Sequence, residues 1–333
     1  MRLLVAVCVA LVAACVAALP TGAAETAWTQ WQKIPGVVDV GARGDGSLVV
    51  MAAGKLYSVS PSGAMNSFAQ SSDGYVAGSP DAESYFVIVP ALTVDGAACS
   101  LTEGDLFVLD LTSPPGIARV DPSGHASRFA TLTGVDTLGG ITVDFTGRFG
   151  HRLLVTGSHN NQTTVFAIDC QGASTILTDS APPLEGGIAV APPTFGQFAG
   201  DLIAPDENTG QMWAIDPSGA ATLMVVPNLP TGGDTGVESV GFVPPGFSLG
   251  GFAYLADRGT PNNPFPGTDS LLRLAAADLV GAGVQDGDLL VSTEGGGTTV
   301  AIHCDATCTV TQVALGTPGG HIEGHIVAVA ISQ

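Results

Sequence analysis

An all-β fold, a β-propeller of about six four-stranded blades with seven as the alternative, is predicted for this chain by three features. A strand–turn–strand pattern, whose fullest copies end in hydrophobic-x-hydrophobic-Asp-Pro-Ser-Gly, recurs about six times, at intervals of roughly 45 to 55 residues. Glycine (45 of 333 residues) and proline (22) are abundant, which suits many short strands and few long helices. Several apolar segments do not alternate with polar residues, so they are expected to be buried on both faces, as in sheets stacked face to face.

In chain order, the first copy is SLVVMAAG then KLYSVSPSG, from Ser47 to Gly63. The second is GDLFVLDLTS then GIARVDPSG (Gly104 to Gly124), and the third RLLVTGSHN then VFAIDCQG (Arg152 to Gly172). The clearest runs from Gly186 to Val226: GGIAVAPP, GDLIAPDENTG, QMWAIDPSG and AATLMVV. Two looser copies pair FAYLADRG with SLLRLAAADL, and DLLVSTEGGG with TVAIHCDATC. Proline presets φ and glycine permits positive φ, so Asp-Pro-Ser-Gly is turn chemistry. Between Leu279 and Gln285 the sixth copy shows no first strand. The C-terminal HIEGHIVAVAI is read as an inner strand that closes the ring against the N-terminal segment around Trp28 to Ile34. Trp28 and Trp31 are assigned to that seam, and Trp213 to the space between blades.

The first 24 residues carry one positive charge, an apolar stretch and small residues before Glu25, which is the pattern of a secretory signal. A single propeller domain over 25–333 follows. Val12-Ala13-Ala14-Cys15 offers a lipoprotein anchor as the minor alternative, and the apolar run is shorter than the ~20 residues a spanning helix needs. A secreted or periplasmic location and a monomer are expected. Acids outnumber bases 30 to 10, which excludes nucleic acid and anionic membranes as partners and leaves cations, small molecules or basic proteins. Beyond the leader, Cys99, Cys170, Cys304 and Cys308 suggest two disulfides. Cys304 and Cys308 flank a turn, and Cys99 with Cys170 follows by elimination.

Acids recur at the starts of the expected inner strands: Glu83, Asp136, Glu185, Glu238 and Glu323. Ring closure would gather these starts on one face. The turns between second and third strands would join them there, with Asp110, His159, Asp206, Glu207, Asp257 and Glu294. Crowded carboxylates either take up protons or hold a cation. Glu83, Glu185, Glu238, Glu323, Asp206 and Asp257 are the expected ligands, for Ca²⁺ with Mg²⁺ as the alternative, because hard oxygen donors in number suit these ions. Strand alternation would point His321, Glu323 and His325 together, making His321 and His325 the candidate catalytic acid–base pair. The chain has no G-x-S-x-G elbow, P-loop or strand-linked dinucleotide fingerprint.

The repeats IARVDPSG, MWAIDPSG and LYSVSPSG, with Gly-Asp-Leu before strands, resemble those of NHL, virginiamycin B lyase-like and SMP-30/gluconolactonase-like six-bladed propellers. The resemblance implies a central channel with ligands, and often a divalent cation, at one mouth. The catalytic sets of such propellers also use inner-strand asparagines, and none stands at the strand starts here. Two functions follow as expectations. One is an exported binding or scaffold propeller. The other is a metal-dependent lactonase, hydrolase or lyase acting at the same mouth.

Overall fold

The computed structural model describes residues 26–331, so the expected signal segment and Cys15 lie outside the described residues. Six four-stranded antiparallel sheets form a propeller, with one small ribbon (Leu92–Thr93 and Ser100–Leu101) as an addition. Among the described residues no helix is long and apolar enough to cross a membrane.

Blades I to IV are simple repeats that run outward from the channel. Blade I is Val37–Ala42, Leu48–Ala52, Lys55–Val59 and Met65–Ser67. Blade II is Phe86–Ile88, Leu106–Asp110, Gly116–Val120 and Ala126–Thr131. Blade III is Thr137–Val143, Leu153–His159, Gln162–Ile168 and Ser174–Ala181, and blade IV is Ala189–Val190, Leu202–Asp206, Gln211–Ile215 and Ala221–Val225. The second strands, such as LVVMA and LIAPD, are buried along their whole length because each sheet is covered on both faces by its neighbours. This is why their apolar residues do not alternate. In the Asp121–Gly124 turn, the Asp121 carboxylate accepts the backbone N–H groups of Ser123 and His125. Gly124 there has φ +92°, and a Cβ would stand 2.9 Å from Ala69 Cα, so only glycine fits.

Blades V and VI are interleaved. Blade V takes Val237–Phe242 as its inner strand, then Leu289–Thr293, Thr299–Cys304 and Cys308–Ala314. Between the first two of these the chain crosses to blade VI, builds Gly251–Asp257 and Ser270–Ala275, and returns through the short helix Ala276–Gly281. Blade VI is finished by Ile322–Ala330 on the inside and Thr29–Lys33 on the outside. FAYLADRG pairs with SLLRLAAADL, and DLLVSTEGGG with TVAIHCDATC, as expected, but the first pair lies in blade VI and the second in blade V, so chain order and ring order differ. Apolar pattern marks a segment as a strand, but pairing energy is similar for either adjacent blade, so local sequence does not choose the partner. The crossing also explains the gap at Leu279–Gln285: no inner strand is needed there. The C-terminal strand is an inner strand, as expected. It shares a sheet with the N-terminal strand, but the two sit at opposite edges.

Six apolar clusters fill the six blade interfaces, so the ring closes without a gap. Trp28 belongs to the cluster between blades V and VI and donates its indole N–H to Thr299 Oγ1 at 2.8 Å. Truncating it should cost about 3–5 kcal/mol, the usual loss for a buried Trp→Ala change. Urea unfolding of Trp28→Ala measures this, and a loss under 1 kcal/mol would remove Trp28 from the seam. The disulfides Cys99–Cys170 and Cys304–Cys308 both form.

Candidate functional site

Because the six inner strands run in the same direction around the channel, their first residues share one mouth. Glu83, Glu185, Glu238 and Glu323 converge there, close enough to repel one another. Glu207 and Glu294, from the turns after the second strands of blades IV and V, join them. Two cations stand among these acids. Arg258 Nη1 donates to Glu83 Oε1 at 2.5 Å and to Glu323 Oε1 at 3.0 Å, and Nη2 donates to the Asp81 carbonyl. His321 Nε2 lies 3.0 Å from Glu294 Oε1 and 3.3 Å from Glu323 Oε1.

Tyr85 connects the acids on the channel axis. Its hydroxyl lies 2.6 Å from Glu323 Oε2 and 2.9 Å from Glu238 Oε1. A phenol carries one proton, so it can donate to only one of them. Glu323 takes that proton, and Glu238 completes the second bond when its own carboxyl is protonated. The electrostatics agree. Burial, with the charges of Glu323 and Glu294 next, pushes Glu238 well above the usual carboxylate range. Burial alone would raise Glu323 too, but donation from His321, the Arg258 charge and Tyr85 hold it below that range.

The remaining acids share the strain of like charge. Burial, then the Glu323 charge, pushes Glu83 up to about 7 against the pull of Arg258. Burial, then the hydrogen bond and charge of Glu294, pushes Glu207 up to about 9. Glu185 is raised by burial and by Glu294 and Glu323. His321 is buried, which disfavours its cation, yet Glu294 and Glu323 outweigh this and raise it to about 10. Its Nδ1 is buried without a hydrogen-bond partner.

Other expected residues serve elsewhere. Asp206 is committed to its own turn, accepting from Thr209 N and Oγ1. Asp257 accepts from Thr268 N and Oγ1, Thr317 Oγ1 and His321 N, so all its strong acceptor positions are used in holding loops together. Both carboxylates are thus engaged by their own loops, Asp206 by Thr209 and Asp257 by Thr268, Thr317 and the His321 N–H. Asp110 pairs with Arg128. Asp136 pairs with His159 at 3.0 Å on the exposed rim.

The alternation expected for His321, Glu323 and His325 is broken. Gly324 has φ +65°, and the pairing with Gly251–Asp257 shifts register at this point. His321 and Glu323 meet at the mouth, whereas His325 turns down the channel. There its Nδ1 meets Asp39 Oδ1 at 3.1 Å and its Nε2 meets the Ile141 carbonyl at 2.9 Å. Asp39 and a carbonyl both accept, so both ring nitrogens must donate and the imidazole is charged. Burial opposes this charge, but Asp39 keeps His325 above its ordinary range.

The residues best placed to hold an ion include one that strand phasing does not reveal. Ligand atoms of Asp234, Glu294 and His321 lie within 4.8 Å of one another. Asp234 sits in the Gly-Gly-Asp-Thr-Gly loop with φ +59°, outside the repeat pattern, and only a search for acids in glycine-rich loops would have marked it. Tyr85 was legible in principle, since it stands two residues after Glu83 and alternate strand residues share a face. Arg258 had no such signal beyond being one of few bases. A polar cleft of about 280 Å³ adjoins the mouth between blades III and IV, lined by His159, Asn161, Glu185, Glu207 and Asn208 among others.

The chain matches no family model and no curated protein. Among solved structures it is similar to virginiamycin B lyase from Staphylococcus aureus, with 13% identity over 93% of this chain and 90% of that one, at a TM-score of 0.49. A gluconolactonase from Xanthomonas campestris shares 12% identity over 72% of this chain and 71% of that one, at 0.43. The extracellular domain of a two-component system protein from B. thetaiotaomicron shares 12% identity, covering 80% of this chain and 33% of that one, at 0.40.

Proposed function

We propose that this protein is an exported binding propeller that holds a divalent cation at its acidic mouth, through Asp234, Glu294 and His321. The carrying observation is the grouping of those three ligand atoms beside two buried carboxyls, Glu207 and Glu238, that no Lys or Arg neutralises among the described residues. An added double charge would relieve the repulsion that otherwise keeps these carboxyls protonated. The imidazole shifts the preference from the expected Ca²⁺ or Mg²⁺ towards Mn²⁺ or Zn²⁺, because nitrogen donors suit first-row metals better than hard alkaline-earth ions. Glu207 and Glu185 then stand between the ion and the polar cleft, so a small-molecule or protein ligand with oxygen donors is the expected guest. Disulfides support export, since they persist in oxidising compartments.

Thermal unfolding tests the reading. At a cation concentration ~100 times Kd, stability should rise by about 2.7 kcal/mol. Glu294→Gln and Asp234→Asn should each weaken Mn²⁺ or Zn²⁺ binding by about tenfold or more, since each removes one charged ligand. No shift with Ca²⁺, Mg²⁺, Mn²⁺ or Zn²⁺ would discard the site.

A catalytic reading is favoured by one observation, the cleft beside Glu207. A carboxyl protonated at neutral pH can give a proton to a leaving group, while a bound metal polarises a carbonyl. In this reading Glu207 and His321 face the reaction, and His325 does not. Hydrolysis or opening in a panel of lactones and esters, abolished by chelator and by Glu207→Gln, is the expected result. Rates equal to background would leave the binding reading alone.

A further inference from the structure

The channel has a second mouth, chemically unlike the first. It is built from the far ends of the same inner strands and forms a cavity of about 270 Å³. Its walls are Phe86, Ile188, Val240, Phe242 and Ile326, and exposed Phe145 stands on its rim. No Asp, Glu, Lys or Arg lines it among the described residues. In a chain with 30 acids, a recess on the axis lined by no carboxylate is a marked exception. Its one charged lining group is the His325 imidazole, whose two nitrogens are already bound to Asp39 and the Ile141 carbonyl. The side chain keeps 13% of its surface open. With no free donor, the ring offers a visitor a cationic face and carbon edges but no hydrogen bond. An anion would have to shed its water in an apolar recess that offers it no donor, so a neutral guest is favoured.

We propose that this mouth is a binding site for a neutral aromatic small molecule of about one fused bicyclic ring. Size follows from volume: a dry apolar cavity of roughly 150 Å³ takes benzene, so this one takes somewhat less than two such rings. Aromatic preference follows from the buried imidazolium, because a cation facing a π-system is attracted by the ring quadrupole, while a saturated ring of equal size gains burial alone. The two channel ends thus take unlike guests, a cation with polar ligands at one and an aromatic at the other. The Asp39–His325 pair and Tyr85 separate them.

Naphthalene is the probe, followed by its own fluorescence, with decalin as the saturated competitor. Expected is saturable binding of one naphthalene per chain, with Kd on the order of 10⁻⁴ M or tighter for a ligand of this size. Decalin should compete about three- to thirtyfold more weakly. Ala42→Phe, at the rim of the recess, should weaken binding by tenfold or more without changing cation affinity at the other mouth. Phe145→Ala alters an exposed residue and keeps the fold. It should weaken binding severalfold and serves if Ala42→Phe is unstable. Unsaturable partitioning, or binding untouched by both variants, would overturn the site. Equal competition by decalin would overturn its aromatic preference.

Discussion

Asp39→Ala is expected to destabilise the protein by about 3–5 kcal/mol, because it leaves the buried His325 cation without its partner. Asp39 is fully buried on the inner strand of blade I. Its carboxylate also accepts the backbone N–H groups of Val40, Phe86 and His325, so one side chain ties the inner strands of blades I, II and VI. Gly324 belongs to this arrangement, since a Cβ there would stand 2.5 Å from Asp39 Oδ1. Removing both charges in Asp39→Ala with His325→Leu should restore part of the loss, since two uncharged groups leave no unpaired ion behind. Chemical unfolding of the two single variants and the double variant gives the coupling. Strict additivity would show that the pair does not hold the channel together.

The second large effect is on pH dependence. Most proteins lose stability in acid as paired carboxylates are protonated. Here Glu83, Glu207 and Glu238 have folded-state pKa values above their unfolded ones, so the native state binds more protons than the unfolded chain. Stability should therefore fall as pH rises from about 4.5, the ordinary carboxylate value, towards about 9. His321 and His325 act in the same direction. Their raised values add stability that is complete below about 6.5 and is lost as pH rises through the folded values, about 10 for His321. In chelator, the midpoint of unfolding should drop between pH 5 and 9, by the equivalent of roughly 2–4 kcal/mol. A divalent cation should flatten the curve, helping most at high pH, where it no longer competes with protons. A stability that rises with pH in chelator would mean that the mouth carboxylates are not crowded as described.

The repeat made the architecture legible because one physical cause, a strand buried on both faces between Gly- and Pro-bearing turns, recurs in blades I to IV. The convergence of Glu83, Glu185, Glu238 and Glu323 was legible for the same reason: equivalent positions in parallel inner strands must meet at one mouth. What could not be read were features that break the repeat. The exchange of strands between blades V and VI depends on which neighbour a strand pairs with, and its own residues do not encode that. The separation of His325 from His321 depends on the backbone of Gly324, one glycine among 45. Nor does the spacing of acids reveal that the Thr209, Thr268 and Thr317 hydroxyls donate to Asp206 and Asp257, since Thr268 and Thr317 come from loops outside the repeat.

Calorimetric titration of Mn²⁺ and Zn²⁺ into chelator-treated protein at neutral pH, repeated in two buffers of different ionisation heat, probes the acidic mouth most directly. The predicted result is one ion per chain with protons released on binding, because His321 and the buried carboxyls must give theirs up, and an affinity weakened about tenfold or more in Glu294→Gln. Binding with no proton release, or binding that survives unchanged in Glu294→Gln and Asp234→Asn, would contradict a metal centre built from these residues.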